Sequence, residues 1–196
     1  MNTAQKLESL KNRSVGIAGC GGLGSNCAVA LARAGVGKLV IADFDVVNAS
    51  NLNRQYFFLD QVGRKKVEAL KENLLRINPK LLVECHDLKL VSESVIRLFN
   101  DCDVIVEAFD LAGEKQMILE AVLGALPEKF LVSGVGLAGW GDNNRIHEHR
   151  YGNLVVCGDL EHEVSDDKPP LAPRVGVVAN MQANAVLEIL LEILPA

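Results

Sequence analysis

The chain has 196 residues, 49% hydrophobic and 23% charged, with a net charge of −5 and a mean hydropathy of +0.18. That length suits one compact domain spanning 1–196 with ample core material, and the acidic balance argues against a general nucleic-acid binder, which would carry a basic stripe. No stretch reads as a membrane span, and the polar start "MNTAQKLESLKNRS" lacks the apolar core of a signal peptide, so a cytoplasmic location is expected. Cys20, Cys27, Cys85, Cys102 and Cys157 are scattered without a C-x-x-C pair, so neither disulfides nor a four-cysteine zinc site is expected.

Taken in order, "SVGIAG" reads as a buried strand, followed by a glycine turn and the helix "SNCAVALARAG", which Gly35 can cap. "KLVIADFD" is a second apolar strand. After a polar loop, "GRKKVEALKENLLRINP" carries Val67, Leu70, Leu74 and Ile77 at helical spacing, with Pro79 beyond its end. "LLVECHD" is a third strand, and "SESVIRLFND" a short helix with Ser92 as its expected cap. "CDVIVEAFD" is nearly continuous in apolar residues, as a strand buried on both faces tends to be. A helix over "GEKQMILEAVLGALP" and a strand over "KFLVSGVGL" complete the alternation. Further on, "RIHEH" and "NLVVC" are short strand-like runs between turn residues, "EHEVSDDKPPLAPR" is a loop or crossover, and "VGVVANMQANAVLEILLEIL" is a strongly apolar closing helix.

Alternating strands and helices predict an α/β fold: a Rossmann-like, doubly wound, mainly parallel sheet with a C-terminal antiparallel extension and a closing helix. Ligands in such sheets bind beyond the carboxyl ends of the strands. The chemistry is therefore expected at Gly19–Ser25, Asp43–Gln55 and Asp110.

Gly19, Gly21 and Gly24 fit G-x-G-x-x-G between a strand and a helix, a turn that lets backbone approach a phosphate at a helix N-terminus. Asp43 lies nineteen residues past Gly24, near the ~20 expected of an acid that binds ribose hydroxyls. The loop alone does not separate NAD from ATP. "DFDVVNASNLNRQ" does, because a nicotinamide site needs no phosphate ligands past the ribose acid. Here Asn51, Arg54 and Gln55 follow closely, and Lys66 opens the next helix. Arg54, as a fork, and Lys66, as a point charge, suit a triphosphate. Asp110, ending the fourth strand, suits Mg²⁺.

"GCGGLGS", "DFDVVNASNLNRQ", "VGRKK" and "LLRINP", in that order, resemble the ThiF/MoeB/HesA adenylyltransferases, relatives of the adenylation domain of ubiquitin-activating enzymes. The likeness runs from about Val15 to the end, and the length and "CGD" segment are most similar to a short-form ThiF. The resemblance implies that Gly19, Gly21, Gly22 and Gly24 line ATP and that Asp43 takes its ribose. It places Asp45, Asn51, Arg54, Gln55 and Lys66 around the phosphates and Asp110 on Mg²⁺. It implies adenylation of the C-terminal Gly-Gly carboxylate of a small sulfur-carrier protein similar to ThiS, in thiamine biosynthesis, by a homodimer. A carrier for molybdopterin or cysteine synthesis, an ATP-binding partner protein without catalysis, an enzyme adenylating a tRNA base and an NAD-dependent oxidoreductase are the alternatives.

The sequence departs from the family in three places. No segment matches the arginine that one subunit lends its partner, and Arg13 lies too close to the first strand for that role. Leu111 follows Asp110 where relatives often carry Asn. The zinc-binding C-x-x-C pairs are absent, so no structural zinc is expected. Cys157 is the candidate for carrying the activated partner as a thioester or persulfide, weighed against a small buried hydrophobe, which is the favoured reading. His147 and His149 at strand spacing, with His162 beyond, are read as surface residues in preference to a metal site.

Overall fold

The computed structural model describes residues 2–162 and 164–194. Seven strands form one sheet in the order β3-β2-β1-β4-β5-β7-β6. The strands are β1 (Ser14–Ala18), β2 (Lys38–Ala42), β3 (Leu82–His86), β4 (Val104–Glu107), β5 (Phe130–Val135), β6 (His147–Tyr151) and β7 (Leu154–Gly158). All neighbours pair in parallel except β6 and β7. The expected architecture is therefore present, with the antiparallel pair at one edge. Strand order reverses between β1 and β4, which makes their carboxyl ends the place where such a sheet opens a crevice.

The helices are α1 (Thr3–Ser9), α2 (Gly22–Ala34), α3 (Lys66–Ile77), α4 (Ser92–Phe99), α5 (Ala112–Ala125) and α6 (Ala172–Glu188), the last running into a π-helical turn at Ile189–Ile193. One core is built from α2, α3 and α6 against the sheet, including Leu23, Leu31, Leu70, Leu74, Val178 and Val186. The other lies beneath α4 and α5, around Phe99, Ile105, Ile118, Val122 and Leu131. Continuous apolar strands such as β4 are thus buried on both faces.

Several boundaries differ from the sequence reading. A helix at Thr3–Ser9 was not expected; Asn2 and Gln5 close it with reciprocal side-chain bonds of 2.9 Å to each other's backbone N–H. Ser92 is the first helical residue and not the cap: extended Val91 holds that place, and Ser94 Oγ accepts its N–H at 2.8 Å. β6 begins at His147 because Asn143–Arg145 form a 3₁₀ turn. The pairing Tyr151↔Leu154 leaves a two-residue turn whose first residue, Gly152, has φ of 61°, as tight hairpins require. α6 starts three residues earlier than expected, because Pro173 is tolerated in a first turn, and this draws Arg174 into the helix. Gly35 does terminate α2, with φ of 97°.

The closing helix also corrects the expectation that nothing approaches membrane-span length. Over Ala172–Ile193 it is long and apolar enough by length and composition. Its apolar residues Val175, Val178, Ala179, Val186 and Ile189 are nevertheless buried within the fold, packed beside α2.

Gly16, in the middle of β1, faces the buried ring of Phe99: a Cβ there would lie 2.5 Å from Phe99 Cδ1. Gly16→Ala should therefore destabilise by about 1–3 kcal/mol, but much less in a Phe99→Leu background. Chemical denaturation of the two single variants and the double checks this coupling.

Candidate functional site at the sheet's switch point

β1 runs directly into the glycine loop. Gly19 has φ of 96°, and a Cβ on it would sit 2.8 Å from the Ala108 carbonyl; one on Gly24 would sit 1.9 Å from the carbonyl of Gly19. Only glycine fits either position. α2 starts at Gly22, so Gly22 and Gly24 lie in its first turn, where N–H groups have no helical acceptor and attract anions. The loop is tied to β2 by Asp43, whose carboxylate accepts from Cys20 N at 2.7 Å and from Asp45 N at 2.8 Å. Each oxygen retains a lone pair for a ribose hydroxyl.

The segment after β2 folds back over this loop. Ser25 Oγ donates to Gly21 O at 2.6 Å and accepts from Tyr56 N at 2.9 Å. Asn26 Nδ2 donates to Gly22 O at 2.7 Å and to Arg54 O at 2.9 Å. Arg54 consequently lays its stem over Gly22, with Cγ 3.6 Å from where a Cβ would be, and Gln55 Nε2 approaches the Gly21 position to 3.7 Å. Gln55 is buried, and its Oε1 has no partner among the described residues. Among the described residues the Arg54 guanidinium bonds the local Asn53 Oδ1 and Ser50 O. Asn51 is engaged too, its Oδ1 accepting from Asn48 N at 3.1 Å to close a 3₁₀ turn.

Lys66 is only 5% exposed, and its Nζ lies 2.7 Å from Asp45 Oδ2. The backbones that carry them are laced together through Val47 N to Arg64 O, Lys66 N to Asp45 O and a bridge between Val46 and Lys65. The motifs "DFDVV" and "VGRKK", whose starts lie nineteen residues apart, thus form one two-sided unit.

At the end of β4, Ala108 packs its Cβ against Gly24 and its carbonyl against Gly19. Two residues on, Asp110 is exposed, with no side-chain hydrogen bond or ion pair among the described residues. Leu111 is 59% exposed beside it. The structure thus brings the glycine loop, Arg54–Gln55 and the Asp110 arm to one crevice and joins Asp45 to Lys66 along the same arm.

The other expected residues lie elsewhere. Cys157 is fully buried, and burial, reinforced by the charge of Glu148, pushes its thiol up to about 12. His147 and His149 meet edge to face at 6.3 Å on the edge strand. His162 does not join them: its Nδ1 lies 2.6 Å from Asp159 Oδ2, and Asp159 is also held by Arg174 Nη2 at 2.8 Å. Asp159, Glu161 and His162 are close enough to one another to hold an ion, but Arg174 and Arg145 already neutralise the two carboxylates. Arg13 pairs with Asp103 at 3.2 Å, at the opposite end of β1 from the glycine loop. Arg174 also donates to the carbonyls of Gly136 and Gly141, and so shapes a cavity of about 200 Å³ with Trp140, Asp142, His162 and Lys168. Its neighbour Val175 lies 3.0 Å from the Cβ position of Gly22, so this cavity and the glycine loop meet across the first turn of α6.

Comparison with known proteins agrees with this arrangement. The model of the ThiF family matches residues 2–196. The chain belongs to the ThiF family. Adenylyltransferase and sulfurtransferase UBA4 of Scheffersomyces stipitis is 31% identical over 149 residues, covering 76% of this chain and 33% of that protein. Adenylyltransferase and sulfurtransferase MOCS3 of Caenorhabditis briggsae is 32% identical over 197 residues, covering 93% of this chain and 46% of that protein. The chain therefore spans between a third and a half of these curated relatives. The crystal structure of E. coli tRNA N6-threonylcarbamoyladenosine dehydratase, TcdA, with AMP matches with a TM-score of 0.85 at 20% identity, covering 95% of this chain and 89% of that one, a likeness of fold.

Other polar residues around the crevice and the neighbouring cavity do not stand out in the sequence motifs. Ser25 and Asn26 were legible in principle as polar residues in the first turn after a glycine loop. Glu107 and Lys115 were signalled by a carboxylate inside the apolar run "VIVEAF", since a buried charge needs a partner. Arg174 and Asp159 had no such signal, because their pairing crosses the loop whose course only the fold decides.

Two outcomes are expected. Gly24→Ala should destabilise the fold by about 1–3 kcal/mol or more, measured by chemical denaturation, because its Cβ meets main chain and no side chain can yield. For Asp159, burial raises the carboxyl, but the Glu161 N–H, His162 and Arg174 together outweigh it and hold it below its ordinary 3.8. Its contribution is thus complete above that value and drains away as pH falls through the lower folded one. Asp159→Asn, which strands buried Arg174, should cost about 3 kcal/mol at pH 7, with the gap from wild type in thermal melts closing below pH 4.

Proposed function

We propose that residues 1–196 act as one adenylyltransferase domain, in a homodimer, that uses ATP to adenylate the C-terminal Gly-Gly carboxylate of a small ubiquitin-like sulfur-carrier protein. The carrier expected is ThiS-like, in thiamine biosynthesis; a carrier of molybdopterin or cysteine synthesis would receive the same chemistry. The observation that carries this reading is the glycine cradle roofed by Arg54 and Gln55. The glycines let main chain close on main chain there, the first-turn N–H groups of α2 suit an anion, and the buried Oε1 of Gln55, without a partner among the described residues, lacks a donor that a ligand could supply. The relatives named adenylyltransferase and sulfurtransferase support the reaction class.

In this reading the N-terminus of α2 and the Arg54 fork hold the phosphates, Asp43 accepts from the ribose, and Lys66, steadied by Asp45, adds a buried positive charge. Asp110, a free hard-oxygen donor at the crevice, would hold Mg²⁺, which when bound offsets phosphate charge. The carrier's carboxylate oxygen forms a bond to the α-phosphorus as the bond from that phosphorus to the bridging oxygen breaks, and pyrophosphate leaves with the electron pair. A carboxylate is already a nucleophile, so no general base is assigned. Alignment and fixed positive groups lower the barrier. Cys157, buried with a raised thiol pKa, has no step in this scheme.

ATP–pyrophosphate exchange with Mg²⁺, with and without a Gly-Gly carrier, tests the proposal; exchange should depend on the carrier. Arg54→Ala and Lys66→Ala should each slow it by about 10²-fold or more, and Asp110→Asn should remove its Mg²⁺ dependence. Cys157→Ser should leave it unchanged. ATP binding without exchange, across several such carriers, would overturn catalysis in favour of a nucleotide-binding partner.

A further inference from the structure

Glu107 is a fully buried carboxylate ending an apolar strand, and the scheme above gives it no part. It accepts from Phe109 N at 2.7 Å, from Ser133 Oγ on β5 at 2.5 Å, and from Lys115 Nζ at 2.9 and 3.0 Å. Lys115 stands in the first turn of α5 and donates also to the Gly134 carbonyl at 2.7 Å. Gln182, from α6, donates to the Glu107 carbonyl at 2.9 Å. Stability alone is a poor reason for this arrangement, since a buried ion pair is commonly no better than apolar residues of the same volume.

Position in the chain supplies a better one. The loop from Ala108 to Leu111 leaves β4 immediately after Glu107 and enters α5 just before Lys115. The ion pair therefore closes that loop at both ends, and the Phe109 N–H bond curls it from within. Ala108 is pressed on the glycine loop at Gly19 and Gly24, and Asp110 is left exposed at the rim. The backbone there has no regular structure of its own to hold Asp110 in place.

We propose that Glu107 and Lys115 are positioning residues that set Asp110 for a divalent cation bound with the nucleotide. This inference rests on the reading of Asp110 given under Proposed function. The pair touches neither cation nor nucleotide; it acts by fixing the arm that carries the ligand, as residues behind metal ligands commonly do.

The test is calorimetric titration of ATP, with Mg²⁺ and with EDTA, into wild type, Lys115→Met, Asp110→Asn and the double variant. Lys115→Met should weaken Mg²⁺-supported binding about tenfold and leave binding in EDTA unchanged, since the glycine loop is intact. Added to Asp110→Asn it should cost nothing further, because its effect passes through Asp110. Losses that add in the double variant, or that appear equally in EDTA, would overturn the proposal in favour of a purely structural pair. If Lys115→Met strands Glu107 and does not fold, Glu107→Gln/Lys115→Met removes both charges and takes its place in the cycle. Lys115→Arg should retain wild-type Mg²⁺ dependence, and its failure to do so would count against the pair. Wild-type binding that ignores Mg²⁺, or ignores Asp110→Asn, would overturn the reading of Asp110 itself, and the pair's role with it.

Discussion

Much of this structure depends on one close approach of main chain to main chain. The exit of β1 and the exit of β4 meet where strand order reverses, with the Ala108 carbonyl and Cβ lying against Gly19 and Gly24. That approach exists because two glycines offer no Cβ. It sets the first turn of α2 beside the start of the Asp110 arm. Were either position occupied by a side chain, the exits of β1 and β4 would be forced apart.

The second wall is made by polar contacts that cross long stretches of sequence. Ser25 and Asn26, in the first turn of α2, hold the backbone of Arg54 and Tyr56, so the arm follows the glycine loop as one piece. The buried Gln55 Oε1 has no partner among the described residues, which is costly for a polar atom, whereas the Arg54 head bonds its neighbours Ser50 and Asn53. Positive charge is handled differently at Lys66, where burial is tolerated because Asp45 lies against it. Charge is thus concentrated in a chain that is acidic overall.

On the far side of α6's first turn, Arg174 performs a comparable task. It gathers two glycine carbonyls and the Asp159 carboxylate, and so determines the course of the chain on both sides of the cavity beside Trp140. The helix that carries it looks, as sequence, like a membrane-length apolar segment. In the fold its buried apolar residues pack beside α2 and the sheet while Val177 and Ile193 stay exposed, and two of its polar residues have internal work: Arg174 at one end, and Gln182 on the carbonyls of β4 and β5.

Strand and helix order, the parallel sheet, the glycine turn and the polar arm were all legible in the sequence. Each is written in local terms: apolar runs of strand length, helical periodicity, and glycines and charged residues at fixed offsets. Local signals also mark the N-x-x-Q box before α1 and the lone carboxylate in "VIVEAF". What only tertiary structure decided is which polar groups become partners. Lys66 with Asp45, Glu107 with Lys115 and Ser133, and Arg174 with Asp159 are pairings across elements, set by sheet order and by the requirement that buried charge be neutralised. Likewise the burial of Cys157, and its raised thiol pKa, follow from the inward face that β7 presents beside β5. Local periodicity specifies elements because it acts within one turn or one pleat; the environment of a charge depends on neighbours that only the packed sheet supplies.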